Sequence, residues 1–176
     1  MTTEYLLQRE VDNILSILTP GNALVMRVAL HTGLRVGDVL NLKSEQLKPR
    51  FWITESKTHK RRQIGLPQPL LDDLKKSAGE YWVFPGKNPK NHRTRQAVWK
   101  DVKRAAYAFR IPHNAAPHSA RKIFAVDLLK KYGNIEKVRR ALNHSSVSVT
   151  LIYALADQQL ENNNRRRRPS AGRKKV

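Results

Sequence analysis

A chain of 176 residues with 34 Lys and Arg against 14 Asp and Glu carries a net charge of +20. That is a length for one domain with a short appendage, and a charge that calls for a polyanionic partner, DNA or RNA ahead of a membrane surface. No apolar run approaches the roughly 18 residues of a membrane-spanning helix and no secretory signal opens the chain. The absence of cysteine excludes disulfides, thiolate zinc sites and thiol nucleophiles. The expectation is a soluble, cytoplasmic protein associated with DNA.

The first predicted element is a helix over residues 8–18, where Val11, Ile14, Leu15 and Leu18 recur at helical spacing. Pro20-Gly21 reads as its stop, and Asn22 to Thr32 as a second, mostly buried helix. Gly33 breaks the chain, and Val36 to Leu42 resumes the helical pattern. Phe51 to Thr54 and Gln63 to Leu66 favour strands, and Lys57-Thr58-His59-Lys60 between them suggests a hairpin with a four-residue tip. Pro67 and Pro69 open a helix through Leu70, Leu71 and Leu74. Residues 94–109 predict an amphipathic helix with Val98, Val102, Ala105 and Ala106 inward. Pro117 suits the first turn of a helix running to about Lys131, because its missing N–H has no partner to lose there. Gly133 ends it, Ile135–Leu142 forms a short helix, and Ser145 or Ser146 caps a last one through Ala156. The fold class is mainly α with one small antiparallel β-hairpin.

Residues 165–176 (RRRRPSAGRKKV) hold seven bases and no acid, leaving +13 on residues 1–164. The boundaries expected are a domain over 1–164 and a basic, disordered tail over 165–176, serving either phosphate contact or solubility and localisation.

Single motifs are weak signals in so basic a chain. The spacing His-x-x-Arg occurs three times, as His59/Arg62, His92/Arg95 and His118/Arg121. Only the last follows a proline at a predicted helix start, with Leu142-Asn143-His144 downstream and Tyr153 nine residues beyond His144. Thr32-Gly33-Leu34-Arg35-Val36-Gly37-Asp38-Val39-Leu40-Asn41-Leu42 resembles the first-arginine box of the tyrosine recombinases, the phage integrase family. Pro117-His118-Ser119-Ala120-Arg121 resembles their His-x-x-Arg box, and Leu142 to Tyr153 their closing box with the nucleophile. The three occur in the family's order, over roughly residues 5–157. Asn143 stands where the family usually has glycine, and Ser119-Ala120 where leucine commonly precedes the arginine.

The resemblance implies a tyrosine recombinase catalytic-domain fold and a site-specific recombinase that cleaves and rejoins DNA through a 3′-phosphotyrosyl intermediate, for integration, excision or inversion. It implies six catalytic residues: Arg35, Lys57, His118, Arg121, His144 and Tyr153. The chemistry agrees with those residue types. Arginines fork onto non-bridging phosphate oxygens with permanent charge. A tyrosyl ester conserves the energy of the broken bond, so religation needs no ATP. A phenol with an ordinary pKa near 10 needs a base, and the resemblance gives that role to His118, a phosphate hydrogen bond to His144 and protonation of the leaving 5′-hydroxyl to Lys57. Lys60 shares the predicted tip and remains an alternative to Lys57. Asp38 either orients Arg35 or caps a helix, and His31, His59, His92 and His113 read as non-catalytic. No metal and no cofactor is expected.

The expected partners are double-stranded DNA at a specific site and further copies of the chain, four on paired sites. Ala154 to Leu160 offers a small apolar patch, and in the resembling family the segment after the nucleophile docks on a neighbour. Most members carry an additional N-terminal domain that closes around DNA, so the chain is either a naturally minimal member, encoded by a virus or mobile element, or a truncated piece of a longer protein. A topoisomerase-like enzyme with the same chemistry and a catalytically silent DNA-binding protein are the competing classes.

Overall fold

A computed structural model describes residues 4–143. Seven helices and one two-stranded sheet follow in order: α1 (Gln8–Ile17), α2 (Pro20–Thr32), α3 (Val36–Leu40), β1 (Arg50–Thr54), β2 (Arg61–Gly65), α4 (Gln68–Ser77), α5 (Arg95–Ala108), α6 (Pro117–Tyr132) and α7 (Ile135–Ala141). A short 3-10 turn at Ser44–Gln46 lies between α3 and β1. The predicted closing helix, His144, Tyr153, the patch from Ala154 to Leu160 and the basic tail lie outside the described residues.

The centre of the molecule is α2. Its apolar residues are spread around the helix rather than confined to a stripe, which suits a buried position, and Val25 and Val28 are fully enclosed. α6 lies along it, α3 and α4 pack on it, and α1 and α5 pair beside it. α6 also carries α7, joined through the small cluster of Ala125, Val138 and Leu142.

Pro20 and Gly21 do not stop α1; they form the first turn of α2, with the proline where an N–H is dispensable. Gly33 then closes α2 in the left-handed conformation (φ +65°), its N–H bonding the Ala29 carbonyl at 2.8 Å. A Cβ there would stand 2.3 Å from Phe124 Cδ1, so close packing of α6 demands glycine as well. The left-handed end at Gly133 has open space around it.

β1 and β2 pair antiparallel with Phe51 opposite Ile64 and Thr54 opposite Arg61. The connection is longer than the four residues expected, because the strands end at Thr54 and Arg61 and the tip closes on itself. Glu55 N–H donates to the Lys60 carbonyl (3.1 Å) and His59 N–H to the Glu55 carbonyl (2.9 Å). His59 accordingly sits at positive φ (+55°). No helix of the described residues is long and apolar enough to cross a membrane.

A buried carboxylate, Asp101 of α5, joins the ends of distant segments. Its Oδ2 accepts from Thr19 N–H (2.9 Å), Thr19 Oγ1 (3.0 Å) and Asn22 Nδ2 (2.8 Å), and its Oδ1 from Arg104 (2.7 and 3.1 Å). Despite burial, these bonds hold the carboxyl at about 2. The start of α2 is thereby fixed by a side chain 82 residues away.

Candidate active site

Arg35 is the residue before α3, delivered there by the left-handed turn at Gly33. Its side chain is about one-quarter exposed, and Nη1 donates to Glu55 Oε2 at 2.5 Å. Asp38 does not orient it. Asp38 Oδ1 instead accepts from Ser56 N–H (2.9 Å) and Oγ (2.6 Å), seating α3 against the hairpin tip.

Arg121 lies in the first turns of α6 and is almost completely buried, with 1% of its surface exposed. Nη1 donates to the Gly33 carbonyl (2.5 Å) and Nη2 to the Leu142 carbonyl (2.6 Å). It therefore joins the turn that presents Arg35 to the chain just before His144.

His118, one turn earlier in α6, borders an open groove of about 560 Å³ lined by Val36, Thr94, Arg95, Trp99 and Pro117. Its imidazole is lowered to about 4, first by desolvation and then by the positive charges of Arg121, Lys122, Arg35 and Lys57. At neutral pH the ring is uncharged and able to accept a proton. Arg121 shares the start of α6 with His118, its bond to the Gly33 carbonyl brings that helix to the turn presenting Arg35, and the Arg35 bond to Glu55 brings in the hairpin that carries Lys57. Lys57 itself is solvent-exposed on the hairpin tip.

Three further residues complete the floor of the site and were not among the site residues expected from sequence. Glu55 is fully buried between the arginines, with Arg62 Nη1 3.6 Å and Asn143 Nδ2 3.1 Å from its Oε1. Burial alone would raise its carboxyl; the Arg35 bond and the charges of Arg121 and Arg62 hold it below the usual carboxylate value. Arg62 also donates to the Thr32 and Ala141 carbonyls. Asn143 adopts positive φ (+51°), the conformation that a glycine would supply and that asparagine tolerates. Glu55 had a signal available: it is the only acid between Glu45 and Asp72, in a segment crowded with bases. So did Arg62, which the two-residue period of β2 puts on the same face as buried Ile64. The spacing His59/Arg62 is not a helical pair, since one member lies in the tip and the other in a strand.

Among the described residues no three His, Cys, Asp or Glu side chains are grouped to hold a metal ion. The arrangement is cationic and preorganised, with a neutral imidazole at its edge. It suits an anion with several oxygens, such as a phosphodiester.

Residues 4–159 match the family model described as the phage integrase family. A tyrosine recombinase of Thermosipho africanus is 27% identical over 166 residues, 89% of this chain and 59% of that protein. The probable integrase/recombinase YoeC of Bacillus subtilis is 33% identical over 143 residues, 73% of this chain and 74% of YoeC. Among solved structures, the XerH site-specific recombinase bound to a palindromic difH substrate in a post-cleavage complex superimposes with a TM-score of 0.71 at 23% identity, covering 93% of this chain and 53% of that one. The chain thus spans little more than half of several of the proteins it resembles.

Proposed function

The chain belongs to the phage integrase family, and from that premise we propose that it is a site-specific DNA recombinase that cuts and rejoins strands through Tyr153. The observation that supports this most is the bonded frame that joins Arg35, the Lys57 hairpin and the α6 start bearing His118 and Arg121, through Arg35 to Glu55 and Arg121 to the Gly33 carbonyl. A strand-transfer reaction needs positive charge on two non-bridging oxygens, a proton acceptor for the nucleophile and a proton donor for the leaving oxygen.

In the proposed reaction the Tyr153 hydroxyl oxygen attacks phosphorus while its proton passes to His118. The bond from phosphorus to the 5′-oxygen breaks, and Lys57 gives that oxygen a proton. The product is a 3′-phosphotyrosyl ester and a 5′-hydroxyl. Arg35 and Arg121 offset the charge that builds on the phosphoryl oxygens, and His144 adds a hydrogen bond to one of them. Attack by a 5′-hydroxyl reverses every step, so neither ATP nor a metal ion enters the balance. Exchange between two duplexes takes four cleavages and hence four protomers, with the segment after Tyr153 docking on a neighbour. Residues 1–164 form the catalytic domain of this reading. The basic tail adds phosphate contacts, and a mobile or viral element is the fitting source.

The test is capture of a covalent adduct. A library of nicked duplexes with a randomised core is incubated with the chain in excess EDTA and denatured, and protein-bound DNA is recovered and sequenced. The expected result is an adduct on a restricted set of sequences, absent in Tyr153→Phe while DNA binding persists. No adduct from the unaltered chain, an adduct that survives Tyr153→Phe, or a strict requirement for a divalent metal in cleavage would each overturn the proposal. A chain that relaxed supercoiled DNA as a monomer without site preference would belong to the topoisomerase class instead.

A further inference from the structure

We propose that Glu55 is a positioning residue of this site: its carboxylate sets the Arg35 guanidinium and, through Asn143, fastens the Lys57 hairpin to the chain entering the closing box. The inference rests on the strand-transfer reading and goes beyond it, because Glu55 touches no reacting atom.

Glu55 has no exposed surface, and a buried carboxylate persists only where donors surround it. Its donors come from separate parts of the chain. Oε2 takes Arg35 Nη1 at 2.5 Å and Thr58 Oγ1 at 3.1 Å, and Oε1 takes Asn143 Nδ2 at 3.1 Å with Arg62 Nη1 at 3.6 Å. Arg62 is tied to two main-chain carbonyls, so its place in the fold does not depend on Glu55 alone. Arg35 has a different situation. It is part-exposed, and the 2.5 Å bond to Glu55 ties it to the protein interior. A planar guanidinium gripped at one terminal nitrogen has fewer orientations open to it, and its orientation decides whether its other donors meet a phosphate as a fork. The same carboxylate stands two residues before Lys57, and its main-chain groups close the tip that carries Lys57. One buried group thus registers Arg35, the hairpin and Asn143 against one another. Glutamine in its place has one accepting oxygen, so its NH₂ must face either the Arg35 or the Arg62 guanidinium, a donor against a donor.

The test compares single-turnover adduct formation on the nicked-duplex library for the unaltered chain, Glu55→Gln, Arg35→Ala and the double variant. At saturating DNA, Glu55→Gln should slow adduct formation on the order of 10- to 100-fold, the size expected of a misplaced catalytic group, with DNA affinity changed less than about 3-fold. In the Arg35→Ala background the same substitution should slow the reaction clearly less than in the unaltered chain, since the part of its effect that passes through Arg35 is already lost. A purely structural role would slow both backgrounds alike, and that result overturns the inference. So does an unslowed Glu55→Gln beside an active unaltered chain, which leaves the strand-transfer reading intact. If the unaltered chain forms no adduct, both fall together. Should Glu55→Gln fail to fold, Glu55→Asp carries the test: it keeps the charge and shortens the reach by one methylene. A folded Glu55→Asp that cleaves at the unaltered rate would overturn the proposal.

Discussion

Replacing Asp101 with asparagine should destabilise the protein near neutral pH, and the structure supplies the size of the effect. The Asp101 carboxyl sits at about 2, against an ordinary 3.8, because Asn22, Thr19 and Arg104 all donate to it. Each tenfold change in proton affinity is about 1.4 kcal/mol, so ionised Asp101 contributes about 2 kcal/mol. The group is depressed, so its contribution is complete above 3.8 and is lost as pH falls through about 2. Asparagine is isosteric but presents an NH₂ to neighbours that are all donors. For a domain of this size the loss should lower the thermal midpoint by about 4–8 °C. Thermal unfolding of both chains, followed by circular dichroism between neutral and strongly acid pH, checks this. The gap between them should narrow as the unaltered protein protonates. A midpoint unchanged at neutral pH, or a gap that is the same at acid pH, would refute the electrostatic account of this junction.

Gly33→Ala should cost about 2–4 kcal/mol, since it combines left-handed backbone strain with a collision on Phe124. Gly133→Ala, with the same backbone sign and empty space, should cost only about 1 kcal/mol; denaturant titration of the pair separates clash from strain. Arg35→Ala and Arg121→Ala should each slow adduct formation on the order of 10². Arg121→Ala should lower the melting temperature more, because it strands the buried Gly33 and Leu142 carbonyls. The pH profile of kcat/KM for adduct formation should keep its acid limb down to about 4, where His118 of the free protein gains its proton. Stability should also rise with pH between that value and 6.5, the interval in which the unfolded histidine binds a proton and the folded one does not; His118→Gln should flatten that rise. A limb near 6.5 would contradict the cationic setting of the ring.

Much of the fold was legible because it is written locally. Helical spacing located α1, α4, α5 and α6, and the glycines at 33 and 133 marked chain reversals that take left-handed geometry. The error at Pro20-Gly21 was one of direction, since a proline that ends one helix equally begins the next. The motif residues Arg35, Lys57, His118 and Arg121 could be named from sequence, yet what holds them could not. Glu55 and Arg35 are 20 residues apart, and Glu55 and Asn143 are 88 apart. No periodicity links such positions; only the packing of α6 and the hairpin around α2 brings them together. Asp38 shows the same limit. Its place three residues after Arg35 suggested a local bond, and the carboxylate turned to Ser56 because the hairpin tip lay within reach.

The buried Arg121 has a consequence for how the chain comes into being. Of its two main-chain acceptors, Gly33 precedes it and Leu142 follows 21 positions later, so a ribosome making about 5–20 residues per second needs about 1–4 s to complete the pair. Through that interval the guanidinium is without the Leu142 carbonyl that it bonds in the folded protein. Emergence of Leu142 is the event that lets the guanidinium withdraw from solvent. Closure of the floor of the candidate site is therefore tied to a late stretch of translation.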